Sequence, residues 1–126
     1  MIKDYKYYVE KYIQYRSKMC QSPDDYGIIN TRVHNKAVDN LNSLIAEMLK
    51  DIDVTKKVYS ILLENENSFI QQNSAGECLE LTPPIHVEKS IEILEHTIQY
   101  GEIWEIMGAE RTLKIWRGEI NPDDPW

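Results

Sequence analysis

The sequence is poor in the residues that punctuate or staple a chain. Its 126 residues hold five glycines, five prolines and two cysteines. Breakers this few, placed singly or in short clusters, argue for helices over a turn-rich sheet. Cys20 and Cys78 supply no disulfide framework and no CxxC pair. They read as free thiols of a reducing cytoplasm, with a bridge between them as the alternative. Long apolar runs are missing too. The longest stretch free of Asp, Glu, Lys and Arg is Asn67–Gly76, mostly polar and about half the length of a membrane span. The N-terminus lacks the apolar core of a secretory signal, so the expectation is a cytoplasmic chain with no membrane partner.

Basic residues are scarce in the second half. Net charge is −7; residues 1–18 carry five basic and two acidic groups, residues 77–126 four basic and eleven acidic. A field of that sign repels a phosphate backbone and attracts a basic protein. Nucleic acid is therefore not an expected ligand. Plain solubility is the other use such charge can have.

Chemistry-bearing motifs are also lacking. His34, His86 and His96 lie in different segments, and Glu92 with His96 is an ordinary pair at helical spacing, short of the Glu-x-x-His repeats of a di-iron bundle. Zinc needs clustered Cys or His, so no metal or other cofactor is expected. Cys78 is flanked by Glu77 and Glu80, the wrong field for a thiolate. There is no nucleophile elbow and no glycine-rich phosphate loop. The sequence predicts no enzyme.

What remains is helical periodicity, in six segments. In Asp4–Met19, Tyr5, Tyr8, Val9, Tyr12, Tyr15 and Met19 share a face and Tyr7 points away; "SPDDYG" then breaks the helix. A second stripe runs Val33, Ala37, Leu41, Leu44, Met48, and Asp53 is the expected N-cap of the third, with Val58, Ile61 and Leu62. Ser68 and Gln71 fit a capping box before the fourth. "TPP" ends that helix, Pro84 suits a first helical position, and Gly101 is the expected left-handed cap after Val87, Ile91, Leu94 and Ile98. The sixth runs through "EIWEIMGAERTLKIW", with Trp104 and Trp116 expected in the core.

The pattern repeats. When the chain is slid along itself until Ile70 falls on Trp104, Ser74 falls on Gly108, Ala75 on Ala109, Cys78 on Thr112 and Leu79 on Leu113. A weaker copy lies earlier in the chain, where Ala37 and Leu41 take the places of Ala75 and Leu79. The preceding helices follow suit, with Val58 and Ile61 matching Ile91 and Leu94. Two helices per period of this length belong to helical-repeat proteins, in which small residues let neighbouring backbones approach.

Three stretches carry a family resemblance: "NKAVDNL" at Asn35–Leu41, "LLENENSFIQQNSAGECLEL" with its acidic turn and small-residue helix, and the closing "AERTLKIWRGEI". Together with the spacing between them they cover most of residues 10–120, and the chain resembles short bacterial HEAT-like helical domains of unknown function. The likeness departs at residues 70–75, where Ile70, Gln71, Ser74 and Ala75 stand. It brings no catalytic residues. It implies an all-α fold, a right-handed stack of about three helical hairpins over residues 1–126: a first helix at 2–21, repeat helices over 27–117 and a tail at 118–126. It also implies a context, since some such domains look like immunity proteins that neutralise a toxin.

The functional expectation is thus a protein-binding domain whose partner is a basic toxin domain. The expected contact residues are Glu88, Glu92 and Glu95 on the fifth helix, Glu102, Glu105 and Glu110 on the sixth, Tyr7 on the first, and Trp126 in the tail. The alternative is a structural scaffold, or a homodimer joined through the tyrosine-rich first helix.

Overall fold

Asp4 opens the first helix, α1 (Tyr5–Met19), its carboxylate accepting from the Lys6 amide at 2.8 Å. Five more helices follow among the described residues: α2 (Thr31–Met48), α3 (Ile52–Leu62), α4 (Ser68–Glu80), α5 (Val87–Tyr100) and α6 (Ile103–Trp116). The computed structural model describes residues 3–19 and 31–124, and among these there is no strand, so the protein is all-α. The expected break at "SPDDYG", Cys20 and Trp126 lie outside the described residues. No described helix is long and apolar enough to cross a membrane. The chain divides into two compact units, Met1–Leu62 and Leu63–Trp126.

In the first unit, α1 packs on α2 and α3, which also touch each other. Tyr8 and Tyr12 are fully buried, joined by Ala37, Leu41, Leu44 and Met48 from α2 and by Val58, Tyr59 and Leu62 from α3. The buried tyrosines keep partners for their polar ends. The Lys3 amide donates to the Tyr8 hydroxyl at 3.0 Å, and Arg16 Nε donates to the Tyr12 hydroxyl at 3.2 Å. Arg16 thus sits on the buried face, its guanidinium 5.4 Å from the Tyr12 ring centroid. Tyr12 also meets the Tyr59 ring edge-on at 6.2 Å. The cap of α3 is Asp51, not Asp53. Its carboxylate accepts from the amides of Asp53 and Val54, because a capping side chain must stand outside the first turn it closes.

In the second unit, α5 packs on both α4 and α6, and α4 also touches α6. Ser74, Ala75, Cys78 and Leu79 of α4 are buried, with Ile85, Ser90, Ile93, Leu94, Ala109 and Leu113. Gln72 Nε2 donates to the Glu105 carbonyl and faces Gly108, while Gly76 faces Thr112. These pairings ascend together along both chains, so α4 and α6 run parallel.

Helix ends in this unit depart from expectation in informative ways. Asn67 is the N-cap of α4, accepting from the amides of Phe69 and Ile70, which frees Ser68 to donate to Glu105 and Gln71 to donate to the Leu63 carbonyl. Pro84 lies outside α5, which begins three residues later behind His86 in a left-handed conformation. Gly101 is extended, φ −79°, rather than left-handed. It is needed for space: a Cβ there would stand 2.6 Å from the Thr97 carbonyl oxygen. The left-handed glycine is Gly118, φ 75°, behind α6. The Gly118 amide donates to the Ile115 carbonyl and the Glu119 amide to the Lys114 carbonyl, a Schellman closure.

Burial keeps part of the repeated pattern. Ala37, Ala75 and Ala109 are all buried, as are Leu41, Leu79 and Leu113. The other match changes register: Thr55, Val58 and Tyr59 share burial with Ser90, Ile93 and Leu94 respectively, whereas Ile61 is exposed and its expected counterpart Leu94 is not.

Candidate functional site

The second unit holds four basic residues against thirteen acidic ones, a net of −9. Two of those cations face carboxylates, Lys89 near Glu64 at 3.5 Å and Arg117 near Glu95 at 3.2 Å. A third, Arg111, donates to the carbonyls of Pro122 and Asp124 and so pins the tail against α6. Both salt bridges are solvent-exposed and worth about 0–1 kcal/mol each. With four cations against thirteen carboxylates, most of the unit's negative charge has no cation to balance it.

The expected glutamates separate into distinct settings. Glu88, Glu92 and Glu95 lie on the exposed side of α5, and Glu110 and Glu102 are exposed on and before α6. Glu105 is the correction: it is buried, only 6% exposed. One carboxylate oxygen accepts from the Glu102 amide at 2.9 Å and the other from the Ser68 hydroxyl at 3.1 Å. It caps α6 and ties it to α4, so it cannot also be offered to a partner. Tyr7 is half-buried rather than exposed, its ring edge-on to Tyr8 at 5.4 Å and under the Lys3 ammonium at 4.5 Å. Trp126 lies outside the described residues. The α1 face expected to serve self-association is partly consumed, since Tyr8 and Tyr12 are in the core.

Two clefts meet beside α5. One, about 310 Å³, is lined by Glu66, Gln71, His96, Tyr100, Glu102 and Glu105, among others. The second, about 240 Å³, shares Gln71 and His96 and adds Lys89, Glu92 and Ile93. They form a shallow polar groove ending at the corner between α5 and α6. Among the described residues, no three of His, Cys, Asp and Glu come together in a way that could hold a metal ion.

The feature that sequence reasoning missed borders this groove. Ile103 is 75% exposed, Tyr100 69%, Trp104 58% and Met107 52%. Trp104, expected in the core, instead stands about 140° around α6 from buried Ala109, as 3.6 residues per turn dictate. Trp116 is also at the surface, beside Leu79, Ile115 and Pro122 in a third cleft of about 290 Å³. The signal was present. Ile103, Trp104, Ile106, Met107, Ala109, Leu113, Ile115 and Trp116 are too many apolar residues for one buried stripe, and the surplus has to face outward.

Cys78 is fully buried. Burial pushes its thiol up from 9.0 to about 12, against a smaller lowering by the Ser90 hydroxyl. Ser90 Oγ has no oxygen or nitrogen partner, and a thiol is a weak one. This is packing chemistry, far from that of a reactive thiolate.

Comparison of the chain with protein-family models, with curated proteins and with solved structures found no match.

Proposed function

We propose that the chain is a non-enzymatic protein-binding domain, a HEAT-like stack of helical hairpins that holds its partner on the outer face of α6. The observation that carries this reading is the row Tyr100, Ile103, Trp104 and Met107, large apolar side chains left in water beside an acidic groove. Such a patch costs solubility, and rimmed by polar residues it is the mark of an interaction site. Aromatic and Met anchors with a charged rim are the composition of protein interfaces. The hairpin stack is supported by the parallel run of α4 and α6 and by the recurrent buried Ala and Leu positions.

The immunity role implied by the family resemblance fits this surface: a pre-formed face would occlude a basic toxin, with Glu92 and Glu102 in the groove and Glu95 close by. Co-expression with the product of the adjacent gene tests it. Growth rescue and co-purification are expected with the parent chain and lost with Ile103→Ser/Met107→Ser. Reversing Glu92, Glu95 and Glu102 to lysine should weaken rescue. Full rescue by the α6 variant would remove this surface as the contact.

A further inference from the structure

The face with which α4 receives α6 recurs on α6 itself. Gln72 and Gly76 of α4 lie against Gly108 and Thr112. The alignment that sets Ile70 on Trp104 carries Phe69, Gln72 and Gly76 onto Ile103, Ile106 and Glu110. Phe69 and Gln72 are half-buried, and α6 lies against that side of α4; at the matching positions Ile103 and Glu110 are exposed. The side of α6 that repeats a helix-receiving surface therefore has no helix on it among the described residues, and its exposed Ile103 and Met107 stand beside it.

Resting on the protein-binding reading above, we propose that the partner's contacting element is an amphipathic α-helix bearing lysine or arginine. It packs on α6 as α6 packs on α4. Its apolar side covers Ile103 and Met107, and a cationic side chain enters the groove between Glu66 and Glu102. Two observations select this occupant. The first is continuity with the α4–α6 contact, which calls for a helix. The second is charge: Glu66 and Glu102 line the groove mouth beside Tyr100, Glu110 replaces the glycine of the α4 surface, and the unit's net charge is −9. A cation there gains attraction, and a neutral or acidic helix does not. The negative end of the α5 dipole, at Tyr100, adds to the same field. A second copy of the chain fits less well. Two-fold pairing through α6 would set one strongly acidic unit against another, and among the described residues of the first unit the exposed large apolar side chains are Leu49, Ile52 and Ile61, none of them on its basic first helix.

The test uses the full chain and three labelled peptides, with anisotropy as the readout. One peptide presents leucines at positions i, i+3, i+4 and i+7 with arginines on the flank. The second replaces arginine with glutamate, and the third scrambles the first. The arginine helix is expected to bind at least about tenfold more tightly than either control. Glu66→Gln/Glu102→Gln should weaken it by about tenfold and flatten its salt dependence. Ile103→Ser/Met107→Ser should abolish binding. Equal binding of the arginine and glutamate helices, lost in the Ile103/Met107 variant, would overturn the cationic partner while leaving the protein-binding reading intact. Binding of none of the three peptides would overturn the proposed partner chemistry. A concentration-dependent dimer in sedimentation, abolished by Ile103→Ser/Met107→Ser, would replace it with self-association.

Discussion

Cys78 shows how a single buried atom couples folding to solution conditions. Its thiol is fully enclosed, and burial holds its pKa at about 12 against 9.0 for the free group. The folded state favours the neutral thiol, so its contribution to stability is whole below pH 9. That contribution is lost as pH rises from there toward 12. In a Cys20→Ser background, replacing Cys78 with Ala should therefore flatten the fall in urea midpoint across that alkaline window, while costing stability at pH 7 through the small cavity it leaves. An alkaline limb as steep in the Cys78→Ala chain as in its parent would show that other groups set it. Glu105 teaches a related lesson. A carboxylate on a helical stripe of glutamates looks solvated, yet its place three residues after Glu102 and four after Gly101 is that of a helix-capping acid. The spacing was legible in the sequence. Its contact with Ser68, far away along the chain, was not.

Packing between elements separates two kinds of small residue in α4. Ala75 is fully buried, and its methyl already fills the contact. Gly76 is different: a Cβ built there would stand 3.7 Å from Thr112 Cγ2, an ordinary van der Waals separation. Ala75→Leu should overpack and cost about 1–3 kcal/mol. Gly76→Ala should be neutral or stabilise by up to about 1 kcal/mol, through helix propensity. Urea denaturation of both variants checks the pair, and a large loss in Gly76→Ala would mean that α4 and α6 approach more closely than that separation allows. The six helices themselves were readable because apolar spacing at three and four residues has a direct geometric cause. Their caps were less so. Asp51 and Asp53 are chemically equal candidates, and only the backbone path decides which carboxylate reaches the free amides. Trp104 and Trp116 misled for another reason: aromatic residues in a helix are usually core, and an indole's own chemistry suits a buried place and a half-exposed one alike.

For the molecule, the division of charge matters more than its total. The first unit carries ten basic and eight acidic residues, a net of +2, against −9 for the second. The asymmetry was plain in the sequence; which glutamates remain available was not, because capping withdraws Glu105 from the surface. On the proposed function, the outer face of α6 in that second unit stays apolar for a partner and not for the fold. Equilibrium unfolding of the full chain carrying Ile103→Ser/Met107→Ser tests it most directly. Exposed side chains outside the packed core should change stability by no more than about 0.5 kcal/mol each, with an unchanged urea slope. A loss of several kcal/mol would show that these residues hold the protein together, and the α6 surface would cease to be a binding site.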